Sequence, residues 1–264
     1  MTNLAEIVRI QNYLREIARS QYEALALDPF TLFFHPSDTL KYFNYAIPDR
    51  PCGLDLSGIL STLRHAYHQR QRLARFEFFE AFAPELPAAL RENGFSEEGR
   101  QWSMICTPQT LQTVPIVANL QIFELGPQTS LQDARDFMLV QREAFSPAED
   151  GIPTGEEIGN TQNSFTCRPA FLARLGDEPV GAAAFSQPIA GVTEVTGIAT
   201  RTAFRRRGIA AAMSAQAAAA AFKRGVQTVC LTAEDERAGR VYQRVGFAPF
   251  SIMLAYIDDK QALD

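Results

Sequence analysis

One stretch constrains the fold of this chain more than any other: three consecutive arginines and a glycine between a β-rich run and an alanine-rich run. Its central residues are Arg205, Arg206, Arg207, Gly208, Ile209 and Ala210. The run before them, residues 191–200, contains many β-branched residues, and the run after them is rich in alanine, which has the highest helix propensity. Gly225 stands at the expected C-terminal stop of that helix. The pattern predicts a strand, a tight loop and a helix.

A loop of this kind at the N-terminus of a helix is suited to binding an anion. The N–H groups of the first helical turn have no intrahelical partner and point outward, where they can bind negative charge. Gly208 allows an anion to approach the backbone closely, and the arginines add fixed positive charge. The loop is therefore expected to hold a phosphate or a pyrophosphate.

A second motif lies downstream, where a strand-like run leads into a predicted helix. Its residues are Asp235, Ala238, Tyr242, Gly246 and Phe247. The two motifs together resemble the GNAT superfamily of N-acetyltransferases, whose acetyl-CoA pyrophosphate loop reads Q/R-x-x-G-x-G/A and whose later motif reads N-x-x-A-x-x-x-Y-x-x-x-G-F. This chain departs from the later motif at Asp235, where Asn is common. A solvated basic turn would explain the arginine loop alone, but it would not explain the downstream match. The resemblance covers residues 119–258.

The resemblance implies a fold and a cofactor. The implied fold class is α/β (α+β), with a mixed, mostly antiparallel GNAT-type sheet, helices on both of its faces, and a partial GNAT-like copy in the N-terminal half. The implied co-substrate is acetyl-CoA, and no metal is expected. In this family the strand before the loop splays from its neighbour, and its free backbone groups bind the pantetheine arm. The residues expected to bind the cofactor are Ile198, Ala199, Thr200, Arg205, Arg206, Arg207, Gly208, Ile209, Ala210, Asp235 and Ala238.

Acetyl transfer from a thioester to an amine requires a deprotonated amine, a polarised carbonyl and a proton for the departing thiolate. By resemblance Tyr242 is the general acid, with packing of an aromatic side chain in the core as the alternative. Glu194 stands on the strand where many members carry a carboxylate base, and a solvent-facing carboxylate without a role is the alternative. Glu234 and Asp235 are further candidates for the base, although capping of the following helix is the simpler role for Asp235.

The predicted function is acetyl-CoA-dependent N-acetylation of a primary amine on a small molecule or peptide. Asp150, Glu156 and Glu157 lie in a loop region that often shapes the acceptor pocket in this family. The competing hypothesis is a catalytically silent acyl-CoA-binding regulatory protein, and Tyr242 favours the enzyme. The sequence contains no G-x-S-x-G, H-E-x-x-H or G-x-x-x-x-G-K-[ST] motif, which argues against a hydrolase, a zinc peptidase or a nucleotide phosphatase.

The length of 264 residues suits two domains. A segment with two prolines, residues 107–117, is the best linker candidate. The predicted domains are a degenerate acetyltransferase-like domain over residues 1–112 and an acetyl-CoA-binding domain over residues 113–264.

The first of these domains repeats the element order of the second. A predicted helix at residues 57–70 precedes a strand, a second helix, a Gly-Phe pair and another strand. Residues 54–57 stand where the arginines of the later copy stand, and Leu90 stands where Tyr242 stands. The first copy is therefore expected to bind no cofactor and to serve in packing or acceptor recognition. Chance recurrence of common α/β elements is the alternative.

Composition limits the partners and the compartment. The net charge of −5, from 30 acidic and 25 basic side chains, disfavours nucleic acid and anionic membranes as partners and suits an amine acceptor. Four widely spaced cysteines, Cys52, Cys106, Cys167 and Cys230, are predicted to be free thiols in a reducing cytoplasm. The sequence is compatible with a homodimer.

Two further patterns carry no site. The N-terminal segment lacks the uninterrupted apolar run of a secretory signal, and no run is apolar enough over a membrane-spanning length. His65 and His68 lie three apart on a predicted helix, but no carboxylate or cysteine completes a recognisable metal-binding set.

Overall fold

The structure, a computed structural model, describes residues 4–53, 55–145 and 152–259. The chain divides into two compact units, residues 1–103 with 250–264 and residues 104–249. The elements of the first half are α1 (Leu4–Gln21), β1 (Glu23–Leu27), β2 (Phe30–Phe34), β3 (Tyr45–Pro48), α2 (Ser57–Gln69), β4 (Arg75–Phe79), α3 (Leu86–Glu92) and β5 (Phe95–Cys106). The elements that follow are β6 (Leu120–Leu125), α4 (Leu131–Phe145), α5 (Gly155–Ser164), β7 (Ala170–Leu175), β8 (Glu178–Phe185), β9 (Val192–Thr200), α6 (Ile209–Lys223), β10 (Thr228–Ala233), α7 (Glu236–Gln243) and β11 (Ala248–Asp258).

The first unit is built on a mixed sheet with the strand order β1-β2-β3-β4-β11-β5. Strands β1, β2 and β3 pair antiparallel in succession, β3 and β4 pair parallel, and β4 and β11 pair antiparallel. Aromatic side chains fill the core, as where Phe30 meets Phe76 edge to face with ring centroids 5.1 Å apart. Buried Asp258 of β11 accepts a hydrogen bond of 2.9 Å from Arg64 of α2, which compensates the burial of its charge.

The second unit has the strand order β10-β9-β8-β7-β6. Neighbouring strands run antiparallel except β9 and β10, which are parallel. One face of the sheet packs against α4 and α5, where Ala134 and Phe165 join the cluster that contains Ala184 of β8. The other face packs against α6. The contact is so close that a Cβ at Gly181 of β8 would lie 3.0 Å from the side chain of Ile209. The expected mixed sheet with helices on both faces is confirmed in this unit.

Alanine lets α6 approach its sheet closely. Ala217, Ala218 and Ala221 are fully buried, and α6 ends at Lys223, just before the predicted stop at Gly225. Small side chains lose little rotamer freedom when they are buried, so a dense helix–sheet contact forms without large conformational cost.

Glu156 and Glu157 lie in helix α5 and not in the loop that the sequence predicts. Thr154 caps this helix: its hydroxyl accepts from the N–H of Glu157 at 3.2 Å, and the Glu157 carboxylate accepts from the N–H of Thr154 at 2.7 Å. This reciprocal capping box begins the helix at Gly155. The loop assignment is wrong for both glutamates, and Asp150 lies outside the described residues.

The predicted internal repeat of elements is present. In the first unit three antiparallel strands are followed by α2, a strand parallel to the third, and α3. In the second unit three antiparallel strands, β7, β8 and β9, are followed by α6, the parallel strand β10, and α7. Each final helix is followed by a Gly-Phe pair and a strand.

The compact units differ from the predicted domain bounds at two places. Residues 104–112 belong to the second unit, where the N–H of Gln112 donates to the carbonyl of Val245 at 2.9 Å. Strand β11 belongs largely to the first unit, because residues 253–257 pair with β4. The assignment of functions to residues 1–112 and 113–264 stays a prediction.

The structure also shows the surroundings of the four cysteines and of the two histidines. Cys52, Cys106 and Cys230 are buried, and Cys167 is exposed. His65 and His68 are both exposed, and the described ranges contain no cluster of residues that could hold a metal ion. Within the same ranges, no helix combines the length and the apolar character needed to span a membrane.

Candidate active site

The arginine loop has the backbone geometry of an anion site. Gly208 is the N-cap of α6 in the left-handed conformation, with φ of 85°, and Arg206 is also left-handed, with φ of 64°. The N–H of Ala212 donates to the carbonyl of Gly208 at 3.0 Å, which is the first bond of the helical series. The N–H groups ahead of it have no intrahelical partner, and left-handed turns gather such groups into a concavity that binds anions.

A cavity of about 590 Å³ opens beside this loop. Its lining residues are Ala144, Phe145, Ile198, Ala199, Thr200, Arg205, Arg206, Gly208, Ile209, Ala210, Ala211, Glu234, Arg237, Arg240, Val241 and Arg244. Five of them are arginines and one is a glutamate, so the lining carries a formal charge of +4, although the whole chain carries −5. The cavity is thus strongly positive in an acidic protein, as a site for a polyanion requires.

Three of the five arginines were not identified from the sequence. Arg237, Arg240 and Arg244 follow one another at spacings of three and four along α7 and its C-cap, which puts them on one face. That spacing is legible in the sequence and could have been recognised. Arg240 pairs with Glu236 at 2.9 Å, but both side chains are more than half exposed, so this pair contributes little.

Strands β9 and β10 separate beside the cavity. Their ladder pairs Val192 with Thr228 and ends where Glu194 pairs with Cys230. Both strands continue beyond that point, β9 to Thr200 and β10 to Ala233. The backbone groups of β9 that face this opening are therefore available to a ligand, as the resemblance implies for the pantetheine arm.

A bulge in β9 directs which side chains face the opening. The pairing with β8 skips one residue between Thr196 and Ala199, and Gly197 there has φ of 60°. Gln141 of α4 donates from Nε2 to the Gly197 carbonyl at 2.6 Å, and a Cβ at Gly197 would lie 3.0 Å from that amide. The bulge reverses the alternation of the strand, so Thr196 and Ala199 share the α4 face while Thr200 faces α6.

Eight of the residues predicted to bind the cofactor line the cavity: Ile198, Ala199, Thr200, Arg205, Arg206, Gly208, Ile209 and Ala210. The hydroxyl of Thr200 is buried and has no hydrogen-bond partner among the described residues. A buried hydroxyl without a partner is costly, and a ligand group would satisfy it.

The other three predicted cofactor residues do not line this cavity. The Arg207 guanidinium lies 5.5 Å from the centre of the Phe204 ring. Asp235 caps α7, since its carboxylate accepts from the N–H of Ala238 at 2.7 Å. The capping role of Asp235 is therefore present in the structure, and cofactor contacts of these residues stay predictions.

Tyr242 lies on α7, next to the cavity-lining Val241 but not itself in the lining. Its ring meets Phe247 edge to face with centroids 6.3 Å apart. Burial raises the pKa of Tyr242 to about 12, so the phenol keeps its proton throughout the physiological range. The Tyr242 side chain is partly packed against Phe247, as the alternative of a packing residue expects. Its phenol also carries a proton that it could donate.

Glu194 is the last residue of β9 that pairs with β10, where the opening between these strands begins. Its side chain is partly buried, and its carbonyl accepts from the N–H of Ser186 at 2.9 Å. Glu234, the alternative base, is exposed at the end of β10 and lines the cavity. The assignment of Glu194 as the base stays a prediction.

Comparison with known proteins agrees with this geometry. Residues 136–247 match the Acetyltransferase (GNAT) family. No sequence match to a curated protein was found.

Solved structures show how far the fold is shared. A GCN5-related N-acetyltransferase from Kribbella flavida is 22% identical, with 96% of this chain and 95% of that chain covered and a TM-score of 0.80. One from Sphaerobacter thermophilus is 19% identical, with coverages of 92% and 84% and a TM-score of 0.64. A tandem GNAT protein from the clavulanic acid biosynthesis pathway is 12% identical, with coverages of 86% and 77% and a TM-score of 0.61. These likenesses concern the fold, and the match to the GNAT family of acetyltransferases covers residues 136–247, in the C-terminal half of this chain.

Proposed function

We propose that this protein is an acetyl-CoA-dependent N-acetyltransferase that transfers an acetyl group to a primary amine of a small molecule or peptide. The observation that carries the proposal is the arginine-lined cavity, which joins the left-handed loop at the N-terminus of α6 to the opening between β9 and β10. One end of this cavity suits phosphates, and the other end offers free backbone groups to an extended chain.

The phosphates of acetyl-CoA fit the positive end. The pyrophosphate would accept hydrogen bonds from the loop N–H groups and from Arg205 and Arg206, and charge-assisted bonds of this kind are stronger than neutral ones. The row Arg237, Arg240 and Arg244 on α7 offers further cationic groups to the remaining phosphate. A lining charge of +4 is of the size needed to balance such a polyanion.

The thioester would lie in the opening between the two strands. The exposed backbone of β9 near Ile198 can donate an N–H to the thioester carbonyl, and the hydroxyl of Thr200 offers a further donor. Donors aimed at this oxygen stabilise the negative charge that develops on it as the amine attacks.

Two proton transfers complete the reaction. The amine nitrogen forms a bond to the carbonyl carbon, the carbon–sulfur bond breaks, and Glu194 takes the amine proton directly or through water. Tyr242 gives a proton to the departing sulfur. A thiol has a pKa of about 8.5, below the value of about 12 for Tyr242. The Tyr242 phenolate must therefore regain a proton as the amine nitrogen loses one. This requirement couples the protonation of the sulfur to the deprotonation of the amine.

The N-terminal unit is proposed to bind no acetyl-CoA. Ahead of α2 the Asp55 carboxylate accepts from the hydroxyl of Ser57, so negative charge stands where the later copy has arginines. Leu90 of α3, at the place corresponding to Tyr242, is fully buried and cannot donate a proton. Leu54 lies outside the described residues. We therefore expect one cofactor site per chain.

Release of free thiol from acetyl-CoA in the presence of a panel of amines, amino acids and peptides tests the proposal. We expect turnover with at least one acceptor, a reduction of about 10²–10⁴-fold in Tyr242→Phe, and nearly unchanged acetyl-CoA affinity in that variant. Full turnover in Tyr242→Phe would make this residue a packing residue.

The same assay separates the enzyme from the silent regulatory protein. Tight acetyl-CoA binding without turnover on any acceptor would favour the regulatory protein. A cytoplasmic location, the absence of nucleic-acid and membrane partners, and a homodimer stay predictions from the sequence.

A further inference from the structure

We infer that Gln141 of α4 is a positioning residue for the transfer step: it holds the peptide group between Gly197 and Ile198 so that the N–H of Ile198 is aimed at the thioester carbonyl. This inference rests on the proposed function and assigns a role to a side chain outside the cavity lining. Gln141 acts through the backbone of β9 and touches neither substrate.

The peptide group between Gly197 and Ile198 is not aligned by the sheet. The ladder with β10 ends at Glu194, and the ladder with β8 passes from Thr196 directly to Ala199. Gly197 and Ile198 therefore have no partner in either of these described ladders. Gly197 has φ of 60°, and glycine adopts positive and negative φ at similar energy, so another contact must fix this peptide group.

Gln141 makes that contact. Its Nε2 donates to the carbonyl oxygen of Gly197 at 2.6 Å, and a carbonyl can only accept. The fit is close, since a Cβ on Gly197 would lie 3.0 Å from both Nε2 and Oε1 of Gln141. The amide of Gln141 thus occupies the space that a side chain at position 197 would take, and the glycine admits it.

Helix α4 is anchored on the sheet beside this amide. Val140, next to Gln141 in sequence, is fully buried and clusters with Ala182 of β8 and Ala199 of β9, and Ala144 packs against them. Ala144 also lines the cavity. Close packing of this kind resists displacement, so α4 presents the Gln141 amide to β9 from a fixed position.

The bond also sets the direction of the next N–H. The peptide group after Gly197 is trans, and in a planar trans peptide the C=O and the N–H point in opposite directions. Because Gln141 holds the carbonyl of Gly197 on the α4 side, the N–H of Ile198 points away from Gln141, and Ile198 lines the cavity. A donor that is fixed in advance stabilises an oxyanion without reorganising as the charge develops.

The carbonyl absorption of bound acetyl-CoA tests the inference without an acceptor. The intact protein is saturated with acetyl-CoA that carries a heavy carbon isotope at the acetyl carbonyl, and the infrared difference from the unlabelled complex isolates this carbonyl. A hydrogen bond weakens the C=O bond, so we expect the wild-type band at a lower frequency than in free acetyl-CoA. Gln141→Met keeps the length of the side chain and loses the donor, so most of this shift should disappear.

The transfer reaction gives a second readout. With an acceptor found in the amine panel, Gln141→Met should lower kcat about 10- to 100-fold, less than the roughly 10²–10³-fold lost when an oxyanion donor is itself removed. Its affinity for acetyl-CoA in calorimetry should stay within about twofold of wild type, because only an interaction of the transition state is lost. Gln141→Glu should show the same losses, since a carboxylate only accepts. Gln132→Met, which removes an exposed glutamine of α4 that donates to Asp136 at 2.8 Å, is the matched control and should change neither readout.

Three results would overturn the inference. The first is a wild-type complex whose carbonyl absorbs at the frequency of free acetyl-CoA, and this result does not depend on the folding of any variant. The second is an unchanged band in Gln141→Met. The third is a Gln141→Met protein whose affinity for acetyl-CoA falls by the same factor as its kcat/KM, which would reveal a merely structural role. Failure of the proposed function itself looks different, because acetyl-CoA would then not bind, or no amine would release thiol from it.

Discussion

A carboxylate placed at Gly208 should abolish acetyl-CoA binding, and the structure allows the effect of charge to be separated from the effect of strain. Gly208 has φ of 85°, and its Cβ position lies 3.3 Å from Val117. Any side chain there adopts the left-handed conformation, which costs about 1–2 kcal/mol. Gly208→Ala and Gly208→Glu share this cost.

Only the glutamate adds negative charge. A carboxylate about 4 Å from one phosphate charge, at the effective dielectric constant of about 20 found near protein surfaces, repels it by about 4 kcal/mol. That energy corresponds to about a thousandfold in Kd. Gly208→Ala should therefore bind acetyl-CoA within about tenfold of wild type, while Gly208→Glu should bind about a thousandfold more weakly than Gly208→Ala.

Calorimetric titration with acetyl-CoA measures both affinities, and thermal unfolding checks the shared strain. For a unit of this size the strain should lower Tm by about 2–8 °C, equally in the two variants. Equal affinities in the alanine and glutamate variants would refute the assignment of this loop to the pyrophosphate. A glutamate variant with wild-type affinity would refute it more completely.

Two further predictions concern the wall formed by α7. Because the pKa of Tyr242 is raised by burial to about 12, the folded protein keeps this proton over a range in which the unfolded chain loses it. The stabilisation is fully present below about pH 10 and is lost between about pH 10 and 12, so wild type should lose about 2–3 kcal/mol more over this interval than Tyr242→Phe in denaturant titrations. Equal losses in the two proteins would show that Tyr242 is not protected. Arg244→Met should weaken acetyl-CoA binding about fivefold at low salt and less at high salt, as expected for an exposed charge. Arg207→Met, whose guanidinium lies against Phe204 and not in the cavity lining, should have a smaller effect, and the reverse order would contradict the cavity as the cofactor site.

Local patterns predicted much of the second unit. The strand and the helix predicted on either side of the arginine loop are present as β9 and α6, and α6 ends within two residues of the expected stop at Gly225. These elements follow from helix periodicity, alanine content and a terminal glycine, which act over a few residues and do not depend on the rest of the fold. The arginine loop was recognised for the same reason.

Features that depend on contacts distant in sequence were not predicted. The bulge at Gly197 is held by Gln141 of α4, and β11 pairs with β4, two strands far apart along the chain. Neither partner can be identified from a single sequence. The capping box of Thr154 and Glu157 is different, because its T-x-x-E signature is local and legible in the sequence.

The residues of the candidate site also divide into those that a local motif predicts and those that it does not. Motif matching identified the loop and Tyr242, but the family pattern does not include the arginines of α7, which only their helical spacing reveals.

The central claim is that one arginine-lined cavity in the C-terminal half binds acetyl-CoA and that the N-terminal copy does not. Titration of the intact protein with acetyl-CoA in a calorimeter tests it most directly, because the stoichiometry counts sites without requiring an acceptor. We expect one site per chain, with affinity about a thousandfold weaker in Gly208→Glu than in Gly208→Ala. Two equivalent sites per chain, or no binding at all, would contradict it.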